Sequence, residues 1–180
     1  MHVCLPDTLN IQYRSTPAPA DLFKQKADDP PLDKGQQDQH HTITAETLWL
    51  GQRSRLDTQL ATSYHCTCVK APPTEGDWEK LGWEQGYFWK TRYFPNIIVI
   101  TENGAIIYID GAHAIHTDAK GHSGLYATMG KGVMINVSKK LSLKTLSSTK
   151  TEIVSTGEQV KDYPSAFGFD TSGLDKETSQ

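Results

Sequence analysis

The chain has 180 residues, with 18 Lys and Arg against 21 Asp and Glu, a formal net charge of -3. That length suits one domain or one and a piece, and the acidic balance lacks the global basic signature of a nucleic-acid coat protein. Hydrophobic residues make up 37%, low for a tightly packed globule and too high for a wholly disordered chain. Three cysteines without framework spacing argue against a disulfide-stapled secreted domain. No apolar run approaches the ~18 residues of a membrane span, and MHVCLPDTLN has no basic region ahead of an apolar stretch. An intracellular, reducing compartment, cytoplasmic or nuclear, is the expectation.

Residues 1–42 read as a polar, largely disordered linker. Between Pro17 and His40 only Leu22, Phe23 and Leu32 are large and apolar, too few to offset ordering entropy. Residues 43–94 read as a short helical segment. Ile43, Thr47 and Leu50 share a side, with Thr44 as cap. A second helix is expected from Asp57 to Lys70, stopped by Pro72 and Pro73, and a third capped by Asp77, with Pro95 closing the block.

Residues 96–162 read as an antiparallel β meander plus a helix. Ile97–Thr101 is an apolar strand, Asn103-Gly104 is a strong hairpin signal, and Ala105–Asp110 is the expected return strand. Gly124–Met129 and Val133–Ser138 form a second hairpin around Gly130-Lys131-Gly132, which Leu141–Leu146 extends. A helix follows from Thr149 to Lys161, capped by Ser148 or Thr149, with Ile153 and Val160 expected against the sheet. Residues 163–180, rich in Ser, Gly, Asp and Thr, read as a disordered tail.

Three groupings carry candidate chemistry. Asp110 ends an apolar strand and Glu152 lies in the first turn of the last helix. Hard oxygen ligands on two rigid elements are what divalent-metal phosphoryl chemistry needs. The bland alternative makes Asp110 a turn residue and Glu152 a complement to the helix dipole. His113, His116 and His122 have a zinc-like spacing in a solvated loop, while His65, Cys66 and Cys68 fall at helical positions that do not share a face. Residues 111–150 hold six lysines and one acidic residue, Asp118. Lys131, Lys139, Lys140 and Lys144 are the candidate phosphate contacts there.

The stretch YIDGAHAIHTDAKGHSGLYATMGKGVMINVSKKLSLKTLSSTKTEIV resembles the ribonuclease H region of copia-type retrotransposon polyproteins. Its motifs come in that family's order: an aromatic-aliphatic-Asp strand, a Gly-Lys-Gly turn, a Ser-x-Lys segment, then Ser-Ser-Thr opening a helix with Glu. Upstream, QRSRLDTQLATSYHCTCVKAPPTEGDWEKLG resembles the end of the family's reverse transcriptase domain. The resemblance covers roughly residues 40–162. It implies an incomplete ribonuclease H-like domain of α+β class, two-metal hydrolysis of RNA in an RNA–DNA hybrid, and Mg²⁺ as cofactor, with Asp110 and Glu152 as catalytic and metal-binding carboxylates.

The sequence departs from that pattern at several points. Leu56, Thr58, Lys150 and Leu141 stand where the family has Pro, Ile, Glu and Gln. No segment like the family's Asp-Asn-Gln-Ser, which carries the third carboxylate, follows Lys161, and the polymerase Tyr-x-Asp-Asp motif is absent. The expectation is a truncated or decayed fragment, inactive by itself. An active nuclease and a small histidine-based metal module are the alternatives.

Overall fold

A computed structural model describes residues 5–25, 28–69, 71–101 and 105–162. Among these residues the fold is a mixed α+β arrangement of four α-helices and antiparallel sheets. The elements run α1 (Lys34–Arg53), a 3₁₀ turn (Leu56–Thr58), α2 (Gln59–Cys68), α3 (Glu75–Lys90), β1 (Val99–Ile100), β2 (Ile106–Ala112), β3 (His122–Thr128), β4 (Gly130–Lys131), β5 (Ile135–Lys140) and α4 (Ser148–Asp162). Among the described residues, no helix is long and apolar enough to cross a membrane.

The polar linker expected over residues 1–42 is corrected. Asp33 caps α1 through its side chain, accepting from the Gln36 amide at 2.9 Å, so the helix starts nine residues before Ile43. Leu9 and Leu32 are buried with Ile43, Trp78 and Leu81 in one cluster, and Leu22 with Tyr64 and Cys68 in another. Leu9 and Leu32 plug the gap between α1 and α3, and Leu22 seats its segment on α2. Average composition is blind to such single plugs, and burying one leucine contributes about 1.5–3 kcal/mol.

In α3 the cap is Thr74 rather than Asp77. Thr74 and Asp77 form a reciprocal capping box, and the Thr74 hydroxyl also donates to Asp29 at 2.7 Å. The helix ends at Lys90, five residues before Pro95.

The hairpin expected at Asn103-Gly104 is also corrected. Residues 102–104 lie outside the described residues, but the strands on either side of them do not pair with each other. β1 pairs with β4 (Val99 with Lys131, Ile100 with Gly130), while β2 pairs with β3 (Asp110 with Gly124) and β3 with β5 (Gly124 with Ser138). Gly130 and Gly132 sit at φ +143 and +83, where a Cβ would strike the carbonyls of Val99 and Ile97. That close approach draws β1 away from β2. Residues 141–146 form no strand.

The three-stranded sheet has the order β2-β3-β5, with α4 across β2 and β3 on one face and α2 against β5. The expected apolar face of α4 is wrong: Ile153 is 68% exposed, and Thr151, Ser155 and Gln159 meet the sheet, fully buried. Ser155 Oγ lies 2.5 Å from Ser123 Oγ, and Gln159 Nε2 donates to Ser123 Oγ at 2.8 Å. Small hydroxyl side chains let the helix come so close that a Cβ on Gly111 would press on Ser155 and Thr151 at 3.1–3.2 Å. Larger apolar groups at these positions would push helix and sheet apart.

Candidate functional site

Asp110 sits near the end of β2, an edge strand whose outer side is unpaired among the described residues. Its backbone is tied to α4, because Ser155 Oγ donates to the Asp110 carbonyl at 3.0 Å. Gly111 and Ser123, directly opposite each other, face α4, so strand alternation turns the Asp110 side chain to the other face, beside Tyr108 and Gly124. Nothing lies within 4 Å of the position a Cβ on Gly124 would take, so space is open next to the carboxylate.

Glu152 is one residue past the buried Thr151. Ser155 centres the sheet-facing side of α4. Glu158, on one flank, bonds Ser142 and lies 3.4 Å from Lys139 of β5. Glu152 is about 120° around the helix from Glu158 and overhangs the opposite flank, the open edge of β2. Both candidate carboxylates are exposed, and neither side chain has an ion pair or hydrogen bond among the described residues. They flank one strand edge from opposite sides. Each is in kind a ligand for a hard divalent ion, but strand alternation keeps the Asp110 side chain on the face away from α4, so the structure does not bring the two together. In number they fall short: among the described residues no three His, Cys, Asp or Glu side chains are grouped to hold a metal.

The three loop histidines do not form a common site. His113 Nδ1 bonds Thr151 Oγ1 at 3.0 Å and Thr145 Oγ1 at 3.2 Å, on the α4 side. His122 lies on the other face, with Nδ1 3.1 Å from His116 Nε2 and Nε2 2.6 Å from Ser138 Oγ. Burial lowers His116 and His122 to about 4 each, with Lys140 contributing to both, so both imidazoles are neutral at pH 7. Phe23 packs edge-on against His116 at 5.2 Å and tilted against His122 at 5.4 Å between centroids, which makes this histidine pair part of a core.

The lysine patch is not continuous. Lys139 lies on the α4 face beside Glu158 and Asp162, and Lys140, one residue on, points the other way and pairs with Asp118 at 2.9 Å. Lys131 and Lys144 are exposed and form no ion pair among the described residues.

Sequence reasoning missed a buried polar cluster between α1, α2 and α3. Thr62 Oγ1 donates to Glu84 Oε1 at 2.6 Å, His65 Nε2 stands 3.7 Å from Glu84 Oε2, and the His40 ring is 5.4 Å from that of His65. Burial raises Glu84 to about 8 and lowers His65 to about 3. The pair has ion-pair spacing, yet desolvation leads in both groups, so both are neutral. His65, Cys66 and Cys68 form no site. Cys68 is buried, its thiol pushed up to about 12 chiefly by desolvation, and such a thiol is unreactive.

Sequence reasoning also missed a cleft of about 1150 Å³ between the ends of α1 and α3, walled by Tyr13, Arg53, Phe88, Trp89 and Arg92. It does not include Asp110 or Glu152. Signals for both features existed as Arg and aromatic residues at helix ends and polar residues at apolar helical positions, but which of them converge depends on helix packing.

Compared with protein-family models, curated proteins and solved structures, the chain matches none.

Proposed function

We propose that this chain is a fragment of a copia-type retrotransposon polyprotein, running from the end of the reverse transcriptase region into a ribonuclease H-like domain. In this reading its ancestral role is hydrolysis of RNA in RNA–DNA hybrids. The observation that carries the reading is the ordered meander β2-β3-β5 followed by α4, with an exposed Asp near the end of the first strand and an exposed Glu in the first turn of the helix laid on it. The Ser155–Asp110 bond holds those two elements together. The motif order in the sequence supports the same reading.

In this reading Asp110 and Glu152 descend from carboxylates that would hold Mg²⁺, an ion that neutralises phosphoryl charge and activates a water when bound; here they extend from opposite faces of β2 and do not converge on one ion. An ion at either carboxylate would be held largely by water, with an attacking water poorly fixed. The reading is therefore of an inherited site without activity in these 180 residues. Lys131 and Lys144 remain available for weak contact with a phosphate backbone.

The test is twofold. Calorimetric titration with Mn²⁺ and Mg²⁺, with Zn²⁺ as control, is expected to show weak binding that Asp110→Asn removes. An RNA–DNA hybrid incubated with the chain and Mg²⁺ is expected to stay intact. Cleavage by the parent that vanishes in Asp110→Asn would replace the relic reading with an active nuclease. Identical titrations for parent and variant would end the inherited-site reading.

A further inference from the structure

The segment Tyr93–Thr101, YFPNIIVIT, carries no charge. Its apolar side chains are open to solvent: Tyr93, Phe94, Ile97, Ile98, Val99 and Ile100 are 83, 70, 65, 50, 42 and 67% exposed. Main chain included, these six residues expose roughly 800 Å², about what one partner buries in a standard protein–protein interface. Monomers rarely expose a contiguous apolar patch beyond a few hundred Å². Four consecutive apolar residues, exposed on both faces of an extended strand, are the pattern of a strand that is covered on both sides.

The backbone gives the segment a direction. Thr101 N donates to Met129 O at 2.7 Å, and the carbonyls of Val99 and Ile97 abut Gly130 and Gly132. Residues 97, 99 and 101 therefore point their backbone groups at β4 and its flanks. By alternation, the N–H and C=O groups of Ile98 and Ile100 point to the opposite edge, which has no strand on it among the described residues. No lysine or proline protects that edge at residues 97–101.

We propose that β1 is a self-association strand: two copies of this chain pair antiparallel through the Ile98–Ile100 edge in a two-fold dimer, burying the Tyr93–Ile100 apolar surface of both. The occupant is a second copy: two such surfaces, facing each other across a two-fold axis, together reach about the 1,600 Å² that a standard stable interface buries. An uncharged edge also meets its own two-fold image without a like-charge clash. The proposal stands apart from the nuclease reading, since it uses no residue of β2 or α4.

Sedimentation velocity of the full chain from 1 to 100 µM is expected to show a monomer–dimer equilibrium. The double variant Ile98→Lys/Ile100→Lys is expected to remain monomeric, with unchanged circular dichroism because both side chains are exposed. In the parent alone, and without relying on the variant's folding, amide exchange at Ile98 and Ile100 is expected to slow at least tenfold between 1 and 100 µM. A parent that stays monomeric to 100 µM overturns the proposal. So does a variant that dimerises like the parent, a chain that grows beyond dimers, or exchange at Ile98 and Ile100 that ignores concentration.

Discussion

Ser155 of α4 donates its hydroxyl to the backbone carbonyl of Asp110 in β2 at 3.0 Å. One bond thus joins the strand end that carries the first candidate carboxylate to the helix that carries the second. Ser155 Oγ also meets Ser123 Oγ at 2.5 Å, so one buried hydroxyl ties α4 to both β2 and β3. Ser155→Ala is expected to cost about 1–3 kcal/mol in urea denaturation, because it leaves buried polar groups unpaired. Gly111→Val is expected to cost a similar amount by overpacking, since its Cβ would meet Ser155 at 3.1 Å. A neutral result for both would remove this contact as the anchor of the sheet.

The candidate carboxylates behave differently. Asp110 and Glu152 are exposed and unpaired among the described residues. Asp110→Asn and Glu152→Gln are expected to change stability by less than about 0.5 kcal/mol while altering divalent-ion titration. A melting temperature that falls by several degrees in either variant would mark a structural role instead.

Stability is expected to peak near pH 6.5. Burial lowers His40, His116 and His122 to about 4 and His65 to about 3, from an ordinary value of 6.5. Below pH 6.5 the unfolded chain takes up four protons that the folded chain refuses, so acid destabilises the fold. Glu84 works in the opposite sense. Its folded value of about 8 against an ordinary 4.5 means the folded chain retains a proton that the unfolded chain has lost. Its contribution falls as pH rises from 4.5 to 8, by at most about 1.4 kcal/mol per pH unit. Below 6.5 the four histidines outweigh the single glutamate; between 6.5 and 8 the glutamate acts without them. Urea midpoints from pH 5 to 8.5 check the peak, and Glu84→Gln is expected to flatten the arm above 6.5. A wild-type midpoint that climbs from 6.5 to 8 would contradict a neutral, buried Glu84.

Thr74→Ala is expected to lower stability by about 1–2 kcal/mol. It removes the α3 cap and the bond to Asp29, which also accepts from the Gly76 amide at 3.1 Å. Far-ultraviolet circular dichroism during melting reads the loss. A change within error would place the start of α3 under the control of packing alone.

Local sequence determined the features whose causes are local. The period-2 alternation around Ile106–Asp110 gives a strand, the Ser-Ser-Thr stretch opens a helix within a residue of its observed start, and Pro72-Pro73 separates α2 from α3. The order of strand, strand, strand and helix was legible for the same reason, and with it the positions of Asp110 and Glu152 near their element ends. What depended on partners distant in sequence was decided only in three dimensions. The expected pairing of Ile97–Thr101 with Ala105–Asp110 gave way to β1–β4 pairing, because Gly130 and Gly132 admit β1 at a closeness that no side chain permits. α4 turned its polar face inward because Gly111 and Ser123 leave room only for small groups that also satisfy each other's hydrogen bonds. Leu9 and Leu32 became core residues because they join Ile43 of α1 to Trp78 and Leu81 of α3, a gap that exists only once those helices have packed, and Leu22 because its segment folds back onto Tyr64 and Cys68 of α2. The two carboxylates came to flank one edge from opposite sides because strand alternation and helix rotation are set independently, and only the docking of α4 on β2 relates them.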